Sequence, residues 1–235
     1  MSKRVIKTDY GITYIPFMNE ELISPFASSW RFFIAEKIIS SIDCNRLKDY
    51  LLSKQSDILD IKYNLNDGGT GLGCDSTTAR YRSYNVMEWD QPDISILKEE
   101  VSVMHDMYYK DIVDRPTPDI SLGGWMNIMK KGDRIKRHNH GFLDNTYISG
   151  HFTVCCDGTR TVYTNPYEHW DEYELLQRVE EHDLEFNHSL YASKNTAGQL
   201  TLFPGYIPHF TTEHRSDSDR ITLAFEIVPN YETII

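Results

Sequence analysis

The feature that most constrains the fold is a series of short β-rich segments that begins at Leu122 and continues towards the end of the chain. Turn residues such as Lys131-Gly132-Asp133 and Asn165-Pro166 separate the segments, and Gly, Asn, Asp and Pro are residues that favour turns. Several short strands at close spacing are typical of a β-barrel or of a two-sheet jelly roll. The predicted strands span residues 125–129, 147–156, 161–164, 199–203, 209–213 and 220–228.

The first third of the chain has a mixed α/β pattern. Asp43 is a suitable N-cap for a helix in which Leu47 and Leu51 recur at helical spacing. A second helix is predicted to run from Pro92 to about Asp111, with one apolar stripe. Between the two helices, residues 64–73 are rich in glycine and are interpreted as an ordinary flexible loop.

These patterns predict a mainly β protein with flanking helices, of the α+β class. We expect one domain over residues 1–235, because no linker rich in Pro, Gly or Ser divides the chain. Within it, an N-terminal α/β region that provides a helical support would span about 1–120 and a β core about 122–230. An acidic, aromatic insertion over about 168–185 is predicted to be helical.

Charge and cysteine content exclude several classes of protein. Acidic residues outnumber basic ones by 35 to 24, giving a net charge of −11 at pH 7, and phosphate backbones repel such a chain. The sequence has no run of 18 apolar residues and no apolar signal region at its start. Its four cysteines form no CxxC pair. We therefore expect a cytoplasmic protein that neither spans a membrane nor binds nucleic acid; its oligomeric state is not predicted.

The sharpest local motif is His138-Asn139-His140. Residues i and i+2 of a strand project from the same face, so two imidazoles in this pattern can meet one ion. Imidazole is a common ligand for iron, zinc, copper and nickel. Alone, an HxH motif is a weak indication of a metal site, since paired histidines also occur on protein surfaces.

A second group of polar residues lies near the end of the chain. His209 follows a turn-rich Phe203-Pro204-Gly205 approach, and Arg220 and Thr222 follow after one predicted hairpin. Arg220 and Thr222 are also i and i+2, and a guanidinium beside a hydroxyl is well suited to hold a carboxylate.

Together, the order His138-Asn139-His140, His209 and Arg220-Ile221-Thr222 resembles the 2-oxoglutarate- and iron(II)-dependent oxygenases, in particular a branch of small bacterial and phage oxygenases. Trp125-Met126-Asn127, Ser149-Gly150 and the segment 198–204 also match this branch, and the resemblance covers roughly residues 122–230. It implies a double-stranded β-helix, which is a jelly roll.

The resemblance also implies Fe(II) as metal and 2-oxoglutarate and O2 as cosubstrates. Arg220 and Thr222 would hold the distal carboxylate of 2-oxoglutarate, and Asn127 and Tyr147 would line its pocket. No catalytic residue beyond the metal ligands is implied. The reaction would couple decarboxylation of 2-oxoglutarate to hydroxylation of a prime substrate that the sequence does not identify.

One departure from the family pattern affects the metal ligands. The usual iron triad of this superfamily is two histidines and a carboxylate, whereas this motif has His140 in the carboxylate position. His138, His140 and His209 are the predicted ligands, and Asp144 is a rival for the third. Two alternatives remain: a cupin-like three-histidine dioxygenase that needs no 2-oxoglutarate, and a non-catalytic jelly-roll binding or structural protein.

Overall fold

The computed structural model describes residues 6–18, 31–62, 67–113, 116–140, 147–168, 171–181 and 190–230. Within these residues there are three α-helices, two short 3-10 helices (Thr78–Arg80 and Val86–Glu88) and ten strands. The helices are α1 (Cys44–Leu59), α2 (Pro92–Val113) and α3 (Glu172–Glu181). The strands are β1 (Ile6–Lys7), β2 (Thr13–Met18), β3 (Arg31–Ile38), β4 (Ile120–Met129), β5 (Ile148–Cys155), β6 (Thr161–Thr164), β7 (Leu190–Ser193), β8 (Gln199–Pro204), β9 (His209–Thr211) and β10 (Arg220–Pro229).

The strands form two antiparallel sheets. The larger has the order β1-β2-β3-β8-β5-β10-β4, and the smaller has the order β7-β6-β9. The sheets pack face to face, and Tyr163 of β6 contacts Phe203 of β8 with 5.0 Å between ring centroids. Because of the strand order in each sheet, strands that are distant in sequence are neighbours in space, as a jelly roll requires.

Strand β10 shows how the large sheet separates a helix-covered face from an interior face. Its odd-numbered residues from Ile221 to Ile227 are buried in a hydrophobic cluster with side chains of α1 and α2. Its even-numbered residues instead line a cavity on the other face, because side chains alternate along a strand. These residues are Arg220, Thr222, Ala224 and Glu226.

The two N-terminal helices form largely as predicted. The Asp43 carboxylate accepts hydrogen bonds from the backbone N–H groups of Asn45 and Arg46, both at 3.1 Å, and so caps α1. Arg46 also pairs with Asp93 at the start of α2, which ties the two helix N-termini together. The same third of the chain also contains β1, β2 and β3, which extend the large sheet, so a helical support describes only part of it.

The predicted strands of the β core all occur, with ends that differ by up to five residues. The largest difference is in β4, which begins at Ile120 rather than at residue 125. The predicted insertion contains a helix, α3, which is shorter than the span of 168–185. Among the helices that the structure describes, none combines the length and apolar character needed to cross a bilayer.

Candidate metal centre and cosubstrate cavity

Three histidines converge between the two sheets. Each of His138, His140 and His209 offers a ring nitrogen, and these nitrogens all lie within 4.8 Å of one another. The ring centroids of His138 and His209 are 4.3 Å apart, and those of His140 and His209 are 5.2 Å apart. Three imidazole nitrogens this close can bind one ion.

The backbone that places these histidines is not the regular strand that the HxH motif suggested. His138 forms only an isolated bridge with His209, with N–O distances of 3.0 and 2.9 Å. His140 lies beyond this bridge, where its backbone N–H donates to the carbonyl of Gly205 at 2.8 Å. The pairing of this segment with His209 of β9 and with Gly205 of the β8–β9 connection therefore holds the two side chains in place, and no regular strand is formed.

Each of the three imidazoles has an acceptor at Nδ1. The acceptors are the carbonyl of Lys136 for His138 at 2.8 Å and the carbonyl of Ile207 for His209 at 3.1 Å. For His140 the acceptor is the Glu226 carboxylate at 3.0 Å. A histidine that donates from Nδ1 carries its lone pair on Nε2, which is the form that coordinates a metal. The hydrogen bonds thus prepare three Nε2 ligands at once.

Burial keeps two of the histidines in this neutral form. Burial, reinforced by neighbouring His140, lowers the pKa of His138 to about 4. The pKa of His209 lies well below its ordinary value, first because the ring is buried and then because His138 and His140 are close. At neutral pH both rings are therefore available to a cation without first losing a proton.

Glu226 supplies the negative charge that the histidine motif lacks. Its carboxylate lies behind His140 rather than beside the converging nitrogens, so it would act on a metal through the imidazole. Such carboxylate–histidine pairs orient the ring and raise its basicity. The indole of Trp125 also stacks on His140, with 5.8 Å between centroids and an interplanar angle of 20°.

We expect Glu226→Gln to weaken Fe(II) binding by about tenfold, because the amide preserves an acceptor near His140 but removes the charge. Competition with a chromogenic chelator under anaerobic conditions would measure the affinity. The exposed Glu213 offers a matched control, since Glu213→Gln removes one charge away from the histidines. Equal Fe(II) affinities for Glu226→Gln and the wild-type chain would contradict a role of Glu226 in metal binding.

A cavity of about 200 Å³ adjoins the histidines. It extends along β10 from Glu226 to Arg220, both of which line its wall. Thr222, buried at 2% exposure, lines it between them. Asn127, opposite Thr222 on β4, also lines the cavity and accepts a 2.6 Å hydrogen bond from Thr78. The structure thus brings the predicted cosubstrate residues Arg220, Thr222 and Asn127 into the cavity that the three histidines share.

Arg220 is a buried cation without an anionic partner in the described part of the chain. Its guanidinium donates to the Met129 sulfur at 3.2 Å and to the Thr161 hydroxyl at 3.4 Å, while its Nε has no acceptor. Burial lowers the pKa of Arg220 from its ordinary value, which reflects the cost of charge in this site. Buried charges are normally paired. This arrangement therefore favours an anionic ligand in the cavity.

Tyr147 does not join this group. Tyr147 is not among the residues that line the cavity; its hydroxyl contacts His105 and its ring contacts Tyr109, both on α2. The prediction that Tyr147 lines the pocket is therefore corrected: the residue precedes β5, and its side chain is on the helix-covered side. Asp144, the rival metal ligand, lies outside the described residues.

Sequence reasoning missed a loop that forms part of the cavity wall. Asp67, Gly68 and Thr70 line the cavity, although this glycine-rich stretch was interpreted as an ordinary flexible loop. The Asp67 carboxylate accepts the backbone N–H groups of Gly69, Gly71 and Gly73 at 2.8 to 3.1 Å. Glycines repeated at every second position after an aspartate were the signal, because positive φ at all three allows their N–H groups to converge.

His151 is a second cavity residue without a predicted role. It is buried, and it forms a 2.7 Å hydrogen bond between Nε2 and the Tyr163 hydroxyl. Burial, followed by the charge of Arg220, lowers the pKa of His151 to about 3. This histidine is therefore neutral at physiological pH.

The metal-free protein is expected to lose stability as the pH falls from 6.5 to 5. In that range the unfolded chain protonates His151, whereas the folded protein does not, so protons favour unfolding until the pH approaches 3. The loss from this residue alone is about 2 kcal/mol over the interval. Urea unfolding at both pH values would measure it, and His151→Asn should show a smaller pH dependence. An identical pH dependence in this variant would contradict the assignment.

Comparison with known proteins identifies a matching protein family and solved structures with a similar fold. Residues 123–226 match the model of a family described as "Putative 2OG-Fe(II) oxygenase". Among solved structures, a Pseudomonas putida prolyl-4-hydroxylase is similar with a TM-score of 0.51 and 9% identity, over 84% of this chain and 92% of that one. AviO1 from Streptomyces viridochromogenes has a TM-score of 0.51 and 14% identity, over 84% and 90%. These two likenesses confirm the predicted jelly-roll fold.

Coverage is lower for a 2OG-Fe(II) oxygenase family oxidoreductase from Burkholderia pseudomallei. This chain spans 60% of its length, with 12% identity and a TM-score of 0.42. Among curated proteins, none matches the sequence significantly.

Proposed function

We propose that this chain, whose residues 123–226 belong to the 2OG-Fe(II) oxygenase family, couples the decarboxylation of 2-oxoglutarate to the hydroxylation of a second substrate. The cofactor of this family is Fe(II), and its cosubstrate is 2-oxoglutarate. The observation that carries the proposal is the presence of two features in one cavity. The first is three histidines that can coordinate one metal ion, and the second is a buried arginine without an anionic partner among the described residues.

The donor set fits the metal. His138, His140 and His209 would hold Fe(II) through Nε2, since neutral imidazole is an established iron ligand. When bound, Fe(II) supplies the redox chemistry that couples loss of CO2 to substrate oxidation. The Glu226 carboxylate behind His140 provides part of the negative charge that a directly bound carboxylate provides in the usual triad.

The cavity fits the cosubstrate. 2-Oxoglutarate has a keto-acid end that chelates a metal and a carboxylate at the other end. Arg220 would form charge-assisted hydrogen bonds to the distal carboxylate, and the Thr222 hydroxyl would add a further donor. Because Arg220 and Thr222 are both 2% exposed, this carboxylate would be held away from water, where such hydrogen bonds are strongest.

A three-histidine dioxygenase that needs no 2-oxoglutarate is the second candidate function, and the all-histidine cluster favours it. Arg220 argues against it. A buried guanidinium costs stability unless an anion balances its charge, and the distal carboxylate of 2-oxoglutarate would supply that anion beside the metal.

Anaerobic titration of the Fe(II)-loaded protein with 2-oxoglutarate tests the proposal. We expect a weak visible charge-transfer band that saturates as the cosubstrate chelates the metal, and succinate formation once O2 is admitted. Fe(II) binding without the band would favour the three-histidine alternative. Failure to bind Fe(II) would indicate a jelly-roll protein without this chemistry.

A further inference from the structure

His151 lies in the middle of the large sheet, on its interior face. Its register partners are Thr201 on β8 and Ala224 on β10. It is 7% exposed and lines the same cavity as Arg220 and the three histidines. The small side chain of Ala224 leaves the imidazole room beside the cavity.

Hydrogen bonds order the polar side chains around His151. The backbone N–H of Thr196 donates to Gln199 Oε1 at 3.0 Å, which fixes the orientation of this amide. Gln199 Nε2 then donates to the Ser193 hydroxyl oxygen at 2.9 Å and to the Thr201 hydroxyl oxygen at 3.3 Å. The phenol of Tyr163 forms its hydrogen bond directly with His151.

The contact with Tyr163 determines which nitrogen of His151 carries the proton. Within the described residues, His151 Nε2 at 2.7 Å is the acceptor that faces the Tyr163 hydroxyl, so the phenol donates its hydrogen to this nitrogen. Burial raises the pKa of Tyr163 well above its ordinary value, so the phenol keeps this hydrogen. A neutral imidazole that accepts at Nε2 is protonated at Nδ1. His151 therefore presents an N–H donor at Nδ1.

The Nδ1 atom of His151 is buried and has no hydrogen-bond partner within the described residues. The Nε atom of Arg220 is in the same condition, and both residues line the cavity. A buried donor without an acceptor is costly, so two in one cavity indicate a ligand rich in acceptor atoms. A carboxylate has two oxygens and four acceptor sites, which suits an arginine and an imidazole N–H together.

We propose that His151 is a further cosubstrate-binding residue, whose Nδ1–H donates to the distal carboxylate of 2-oxoglutarate beside Arg220. This inference rests on the proposed function. Tyr163 is then a positioning residue, because it sets the tautomer of His151 without contacting the ligand.

The test compares ligand affinities of Fe(II)-loaded variants under anaerobic conditions, using 2-oxoglutarate and pyruvate as probes. Pyruvate has the keto-acid end but lacks the distal carboxylate. We expect His151→Leu to raise the Kd of 2-oxoglutarate by about 10- to 100-fold, the range for a hydrogen bond to a charged group. The Kd of pyruvate should not change. His151→Asn, whose amide nitrogen can occupy the place of Nδ1, should retain most of the affinity.

Two further variants separate this role from a structural one. Thr153→Val removes another buried polar group from β5 that is not among the cavity-lining residues, and it should bind 2-oxoglutarate as the wild type does. Tyr163→Phe should weaken 2-oxoglutarate binding by up to about tenfold, because the tautomer is no longer fixed. If His151→Leu does not fold, the 2-oxoglutarate affinity of Tyr163→Phe tests the role of His151 instead.

Each outcome is decisive. Unchanged 2-oxoglutarate affinity in His151→Leu, with normal binding by the wild type, would overturn the role of His151 and leave the proposed function intact. Equal losses for pyruvate and 2-oxoglutarate would overturn the assignment to the distal carboxylate. Absence of 2-oxoglutarate binding in the wild-type protein would instead remove the proposed function itself.

Discussion

Arg220→Met is expected to abolish 2-oxoglutarate binding and still leave Fe(II) bound. Methionine keeps an unbranched apolar stem but removes the guanidinium, which would make the charged contact with the distal carboxylate. Loss of one partner of a buried, hydrogen-bonded charge pair costs about 2–5 kcal/mol, so the Kd should rise by roughly 30-fold or more. The anaerobic charge-transfer titration would measure the 2-oxoglutarate affinity, and chelator competition would measure the Fe(II) affinity.

The same substitution has an unusual expected effect on stability. Most buried substitutions destabilise a protein, but Arg220 is a buried charge without a carboxylate partner in the described residues. Replacing such a charge with an apolar side chain is often neutral or stabilising. The melting temperature of the ligand-free Arg220→Met protein should therefore equal or exceed that of the wild type. A clear fall in melting temperature would contradict this stability expectation, and unchanged 2-oxoglutarate affinity would contradict the binding role of Arg220.

His140→Ala is expected to reduce Fe(II) affinity by about 100-fold, whereas Asp144→Ala should leave it unchanged. His140 is one of the three converging ligands, and its ring is held by Glu226 and Trp125. Removal of one of three ligands leaves two imidazoles and a less favourable site. Anaerobic competition with a chelator would measure both variants against the wild-type protein.

His140→Asp is the informative companion variant, because it creates the usual triad of two histidines and one carboxylate. We expect it to retain Fe(II). Thermal unfolding of the metal-free variants would show that each still folds. If Asp144→Ala lost the metal and His140→Ala retained it, Asp144 would be the third ligand and the three-histidine assignment would be wrong.

The interior of the jelly roll explains why these effects are expected to be large. The space between the sheets is divided between an apolar part and a polar part. Side chains such as Tyr163 and Phe203 form a hydrophobic cluster in the first, and polar side chains of β5, β8 and β10 such as His151, Thr201 and Arg220 occupy the second. Apolar residues of β5 and β10 pack on the opposite face against α1 and α2. The helices thus provide hydrophobic burial on that face, and part of the other face holds the polar site.

The sequence by itself predicted the strand-rich core and both N-terminal helices, and it singled out His138, His140, His209, Arg220, Thr222 and Asn127, which the structure places around one cavity. Such features depend on local periodicity and on motif order, and both are readable along the chain. Only the tertiary structure decided that Tyr147 contacts α2, that the Asp67 loop lines the cavity, and that His138 and His140 converge without a regular strand. It also placed Glu226 beside His140 from 86 residues away and the Tyr163 hydroxyl beside His151 Nε2. Each of these placements depends on how separate strands, helices and loops pack against one another, and the order of residues along the chain does not specify that packing.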